Sequence, residues 1–197
     1  MKTKILYWFL LSASSIYSQN SEPIQADRPD QTETPAIVPK GMFQVETGLV
    51  FQKNDANSST FSLPSTLWKY GVNENFELRL LTEFISEAIN YTKTSGLNPI
   101  YVGFKVQLTE EKGIIPKTSY IAQIGFPNAA SSPYKTAYFA PEFRLVMQHS
   151  LSEKLAFSYN LGAEWDGFSA VPTYIYTAAT GYSDGSTAYF ALSRLSP

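Results

Sequence analysis

Charged residues recur at every second position in several segments whose other residues are largely apolar. Alternate residues of a β-strand point to the same side, so each segment would carry its charges on one face. Opposite charges two positions apart, as in Glu77 and Arg79, suit ion-pair ladders. In a small barrel such a face could form a selectivity or ligand-holding network, or it could simply fill the interior with paired charges. The candidate interior residues are Glu77, Arg79, Glu83, Lys105, Glu142, Arg144 and Glu164.

Other kinds of chemistry find little support in the residue types. The chain has no Cys and one His, which excludes a disulfide framework, thiolate metal sites and a cysteine nucleophile. His149 and Ser150 are adjacent, so on a strand they point to opposite faces and do not form a catalytic pair. We therefore expect no enzyme activity, no metal site and no cofactor.

The elements that must position these charges are strands. From Met42 onward, apolar residues recur with a period of two in segments longer than an ordinary strand, and no segment shows a helical face. Short connections alternate with longer polar loops such as 53–60, 85–97 and 127–135. Strands are predicted near 42–53, 60–71, 75–85, 98–109, 117–127, 136–149, 154–166, 172–182 and 186–193.

Two architectures fit this alternation, because each needs one apolar and one polar face. One is an antiparallel up-and-down transmembrane β-barrel of about eight to ten strands with its apolar face outward. The other is a secreted or periplasmic lipocalin-like binding module with its apolar face inward. Strand length, alternating loop length and aromatic residues at the strand ends favour the membrane barrel. We expect the loops 85–97 and 127–135 to govern selectivity, because loops vary without disturbing the strand ladder.

The N-terminal part of the chain has a different character. Residues 1–18 combine Lys2 and Lys4 with a short apolar run, which is typical of a secretory signal peptide. Residues 19–41 form a polar, proline-rich leader, and residues 42–197 form the barrel domain. The leader could plug the periplasmic mouth of the barrel, with Arg28 meeting an interior carboxylate, or it could be a solvated segment. Its candidate residues are Asp27, Arg28 and Asp30, with Gln31 and Glu33 in the same motif.

Charge and composition limit the partners. The 15 Lys and Arg against 17 Asp and Glu give a net charge of -2, which provides no footprint for nucleic acid. Only 16% of the 197 residues are charged, against about 25% in ordinary soluble domains. We expect membrane lipid, the outer-membrane assembly machinery and an unidentified small solute as partners.

The string DRPDQTE at residues 27–33, followed by PKG at 39–41 and a Q-x-E-x-G strand at 44–48, resembles the opening of a transporter-like outer-membrane family associated with the meta-pathway of phenol degradation. The resemblance covers residues 26 to about 182. It implies a membrane β-barrel of a Gram-negative bacterium, located in the outer membrane. It also implies passage of small apolar or aromatic compounds, while no ligand-binding residue is carried over.

The C-terminus departs from the family pattern. A further strand pair and an aromatic last residue would be expected after Tyr182, whereas one short segment precedes Pro197. We therefore expect a C-terminally shortened member with a barrel that could be incomplete. The predicted function is a passive channel or transporter, with the lipocalin-like binding module as the alternative. A structural or adhesive surface protein is a third class, which would show no flux.

Overall fold

A computed structural model describes residues 27, 32–55, 58–90, 92–183 and 187–192. The predicted signal peptide, most of the leader before residue 32, and Arg28 and Asp30 lie outside these residues. Nearly all the described chain is antiparallel β-structure. The strands are β1 (Phe43–Asp55), β2 (Ser58–Asn73), β3 (Phe76–Ile89), β4 (Thr92–Leu97), β5 (Ile100–Thr109), β6 (Lys117–Phe126), β7 (Ala140–Ser150), β8 (Leu155–Glu164), β9 (Thr173–Ser183) and β10 (Thr187–Leu192).

The strands form one ten-stranded sheet in which sequence neighbours pair along the order β1-β2-β3-β5-β6-β7-β8-β9-β10. This up-and-down order confirms the predicted fold class. The sheet curls into a half-barrel, and β1 and β10 stand at its two ends without pairing to each other in the part of the chain described.

β4 is the element that sequence periodicity missed. Residues 85–97 were expected to form a loop, but β3 continues to Ile89 and β4 returns beside it. The first half of β3 pairs with β5 and its second half with β4, so β4 and β5 act as one strand interrupted at Asn98 and Pro99. Proline lacks the N–H that a ladder requires, which accounts for the interruption. The expected loop 53–60 is likewise mostly strand, because β1 reaches Asp55 and β2 begins at Ser58.

The two ends of the sheet differ in their connections. Tight turns follow β2 and β7 at what we call the short-turn end, and the opposite, long-loop end carries the connections 126–140 and 164–173. The loop after β6 contains a short 3-10 turn, Ser132–Tyr134, that folds against β4. Tyr134 Oη donates to the Thr94 carbonyl at 3.0 Å, and the Leu97 N–H donates to Ser131 Oγ at 2.9 Å. The two loops expected to govern selectivity are therefore joined.

The faces of the sheet follow the predicted alternation. Charged and polar residues line the concave face, where Glu77 and Lys105 are fully buried. Apolar residues line the convex face and remain accessible, including Leu78 at 49% and Leu161 at 53% exposure. The lipocalin-like packing, with the apolar face inward, is thus not the arrangement adopted.

Among the described residues, none belongs to a helix with the length and hydropathy of a membrane span.

Candidate functional site

Strand pairing brings opposite and like charges together on the concave face near the short-turn end. Glu77 on β3 lies directly across from Lys105 on β5, which favours an ion pair. Lys69 on β2 lies directly across from Arg79 on β3, and like charges so placed repel each other. The strands therefore build a cationic region that needs an anion from elsewhere.

The leader supplies that anion by running across the concave face. Asp27 is buried, and three cationic side chains converge on its Oδ2 atom: Lys69 Nζ at 2.9 Å, Lys105 Nζ at 3.1 Å and Arg79 Nη1 at 3.3 Å. Its Oδ1 atom accepts hydrogen bonds from the N–H and hydroxyl of Thr34, both at 3.0 Å. Burial alone would raise the pKa of Asp27, but the charges of Lys105, Arg79 and Lys69 hold that pKa well below its usual range.

A second leader carboxylate meets the same cations. Both oxygens of Glu33 accept hydrogen bonds from Arg79 Nη2 at 2.8 Å, and Lys105 Nζ lies 3.6 Å from Glu33 Oε2. We call these residues the inner charge cluster, and its members are Asp27, Glu33, Glu46, Lys69, Glu77, Arg79 and Lys105. Ion pairs link all of them.

Strand side chains also satisfy the backbone of the leader. Buried backbone groups are costly unless they are hydrogen-bonded, so these contacts define where the leader lies. The amide of Asn160, oriented so that both its ends are satisfied, accepts the Glu33 N–H at 2.6 Å and donates to the Glu33 carbonyl at 3.1 Å. The other contacts are Val38 N–H to Glu77 Oε2 at 2.8 Å, Lys105 Nζ to the carbonyls of Thr34 at 2.9 Å and Ala36 at 3.3 Å, and Ser119 Oγ to the Pro35 carbonyl at 2.6 Å.

The remaining interior candidates lie nearer the long-loop end. Glu142 accepts a hydrogen bond from Gln123 Nε2 at 2.6 Å and pairs with Arg144. Glu83 Oε2 accepts a hydrogen bond from Asn98 Nδ2 at 2.8 Å and belongs neither to the inner charge cluster nor to the Glu142–Arg144 pair. Glu142 also borders a cavity of about 220 Å³, which we call the outer cavity. Its lining residues are Tyr101, Glu142, Glu164, Trp165, Asp166 and Thr173.

The outer cavity is acidic and half open. Asp166 accepts backbone hydrogen bonds from Ser169 at 2.8 Å and Phe168 at 2.7 Å, and these bonds lower the pKa of Asp166. Three of the seven predicted interior residues, Glu77, Arg79 and Lys105, thus belong to the inner charge cluster. Glu142 and Glu164 line the outer cavity, Arg144 pairs with Glu142, and Glu83 contacts Asn98.

Sequence reasoning missed several residues of the inner charge cluster and its surroundings. Glu46 lies in β1 and Lys69 in β2, and neither was among the predicted interior residues. Their alternation with apolar neighbours carried the necessary signal. Ser119 and Asn160 are fully buried polar residues, and nothing in their local sequence indicates a leader contact.

His149 and Ser150 each contact a different residue. The ring of His149 stacks against Tyr159, and the N–H of Ser150 donates to Glu111 at 2.7 Å. No group of three or more His, Asp or Glu residues is placed to hold a metal ion among the residues that the structure describes.

A family model aligns with residues 26–191, which cover the second part of the leader, the strands β1 to β9 and most of β10. That family is named for the MetA-pathway of phenol degradation. The chain belongs to this family. Membership accounts for the leader motif and the barrel strands as one unit, since the match begins just before Asp27 and ends within β10. No curated protein and no solved structure matches the chain.

Proposed function

We propose that this family member is an outer-membrane β-barrel of a Gram-negative bacterium that passes small molecules passively. The observation that carries the proposal is the distribution of residues on the two faces of the sheet, which is the reverse of that in a soluble protein. Charged side chains are buried on the concave face, and apolar side chains are accessible on the convex face. Val45, Leu145 and Leu161 are between 39% and 53% exposed, whereas Glu77 and Lys105 are fully buried. A soluble protein rarely exposes so continuous an apolar surface, while lipid accommodates it.

We propose that solutes follow a narrow polar path through the interior. The leader occupies the half nearest the short-turn end, and the outer cavity opens at the other half. Passage of a solute therefore requires the leader to move aside. The family name associates its members with phenol degradation, so small aromatic compounds are the solutes we propose.

A pair of Leu→Lys variants tests the membrane location. Leu145 lies at the centre of β7 on the convex face, and Leu151 lies in the turn after β7 with 60% exposure. A lysine on the lipid face near the bilayer midplane costs about 2–4 kcal/mol. We expect Leu145→Lys to lose the heat-shifted band of a folded barrel in outer-membrane fractions, and Leu151→Lys to keep it. Soluble, equally folded products for both variants would refute the membrane barrel.

Conductance of the purified barrel in a planar bilayer tests the passive path. Arg144 lies on the concave face beside Glu142 and outside the inner charge cluster. If solutes pass through the interior, Arg144→Ala should change the ion preference of the conductance. A measurable conductance with unchanged ion preference would count against an interior path, and the absence of any conductance in the presence or absence of solutes would favour a structural surface protein.

A further inference from the structure

The strands of the inner charge cluster carry more positive than negative charge when the leader is left out of the sum. Lys69, Arg79 and Lys105 are the cations, and Glu46 and Glu77 are the strand carboxylates. The leader adds Asp27 and Glu33, which reverses the balance. The two leader carboxylates are thus bound by an interior that by itself attracts anions.

The geometry of this interior is specific for carboxylates. Three nitrogen donors meet at a single oxygen of Asp27, within 2.9 to 3.3 Å. Arg79 Nη2 lies 2.8 Å from both oxygens of Glu33, and hydrogen bonds from a cationic nitrogen to a carboxylate oxygen are about twice as strong as neutral ones. Arg79 is also 97% buried, and its Nε atom has no hydrogen-bond partner among the described residues, so the site has a donor to spare.

We propose that Lys69, Arg79 and Lys105 form a binding site for small organic carboxylates, and that Asp27 and Glu33 occupy this site as an internal ligand which such a solute displaces. This inference rests on the proposed function, because it names the solute class and the gate of the same path. Entry of a carboxylate keeps the three cations paired while the leader leaves. A neutral solute would leave them without a partner.

The attachment of the leader sets the concentration at which displacement occurs. Residues 38–42 stay close to the barrel through the Val38 contact with Glu77 and the hydrogen bond from the Gly41 N–H to the Gly71 carbonyl at 2.7 Å. A ligand tethered by a short segment acts at a millimolar effective concentration. A free carboxylate that binds the three cations as tightly as the leader does should therefore compete in the millimolar range.

A single introduced thiol reports the leader position, because the chain has no Cys. Ala36 lies in the leader and uses only its backbone carbonyl to contact Lys105. The full chain carrying Ala36→Cys is folded in lipid vesicles and labelled with an impermeant maleimide, in sodium acetate or benzoate and in sodium chloride of equal ionic strength. We expect slow labelling in chloride and a several-fold faster, saturating rate in the carboxylate salts.

Two further variants in the same background separate displacement from general salt effects. Asp27→Asn removes the leader charge at the convergence point, so labelling should be fast in every salt and lose its dependence on carboxylate. Glu33→Gln, which removes the charge held by Arg79, should shift the acetate midpoint to lower concentration. Glu111→Gln serves as the control, because Glu111 lies in the turn after β5 and is not a member of the inner charge cluster; it accepts a hydrogen bond from the Ser150 N–H. This control should keep the full response.

Three outcomes would overturn the inference. Equal labelling rates in acetate and chloride would refute the carboxylate site. Labelling that is already fast in chloride, before any carboxylate is added, would refute the occupation of the interior by the leader. If the labelling rate of Glu111→Gln no longer depended on acetate, the acetate response would reflect the overall charge of the protein and not the inner charge cluster. The heat-shifted band and membrane fractionation report the barrel itself, so a soluble chain that keeps the acetate response would refute the proposed function and leave the carboxylate site standing.

Discussion

Removal of Lys105 is the sharpest perturbation of the inner charge cluster. Its Nζ lies 3.1 Å from Asp27 Oδ2 and donates to the carbonyls of Thr34 and Ala36 at 2.9 and 3.3 Å. In Lys105→Met, four carboxylates would face two cations, and two leader carbonyls would lose their donor. Methionine matches the lysine side chain as far as Cε and lacks only the terminal amino group, so the packing volume changes little.

The expected cost follows from full burial. Removing one partner of a buried ion pair typically costs about 3–5 kcal/mol, because the other charge stays buried without compensation. The uncompensated charge need not stay buried, because release of the leader returns Asp27 and Glu33 to water. The loss in unfolding free energy is therefore capped by the free energy of leader docking, and we expect about 3 kcal/mol.

Urea unfolding followed by tryptophan fluorescence measures this loss, with Trp68 and Trp165 as reporters within the barrel. Lys117→Met is the matched control: Lys117 begins the neighbouring strand β6 at the same end and pairs with exposed Glu110 at 3.7 Å. An exposed pair is worth at most about 1 kcal/mol. Asp27→Asn combined with Lys105→Met should recover part of the loss. Equal effects of Lys105→Met and Lys117→Met, with no recovery in the double variant, would refute the interior network.

Three other perturbations address the leader and the long-loop end. A Cβ at Gly71 would lie 2.2 Å from the Val38 carbonyl oxygen, so Gly71→Ala should expose the leader to thiol labelling while the heat-shifted band persists. Tyr134→Phe removes the hydrogen bond to Thr94 and should cost about 1 kcal/mol, seen as faster amide exchange in β4 but not in β8. The pKa of Asp27 is depressed, so its stabilisation is present above its unfolded pKa of about 3.9 and is lost as pH falls through the folded value. The difference in unfolding free energy between the parent and Asp27→Asn should therefore stay constant from neutral pH to about pH 5; a change near pH 6 would contradict this assignment.

The division into an apolar and a polar face was predictable because strand side chains alternate with a period of two. A slip of one residue would invert every side chain, so Glu77, Arg79 and Lys105 could be assigned to one face without a structure. Extra strand length was harder to predict. β3 and β4 beyond Phe84 contain polar residues on both faces, and a hairpin without an apolar face lacks the alternation on which the prediction depends.

The sequence by itself determined nine of the ten strands, the division of each into a polar and an apolar face, and the family, since these depend on local alternation and on a contiguous motif. Only the tertiary structure decided which face is interior, because a lipid-facing barrel and a lipocalin-like barrel share the same alternation. It also decided what fills that interior. Asp27 meets Lys105 across 78 positions of sequence, and Ser119 meets Pro35 across 84. Such contacts arise from the curl of the sheet around the leader, which no local pattern of residues encodes.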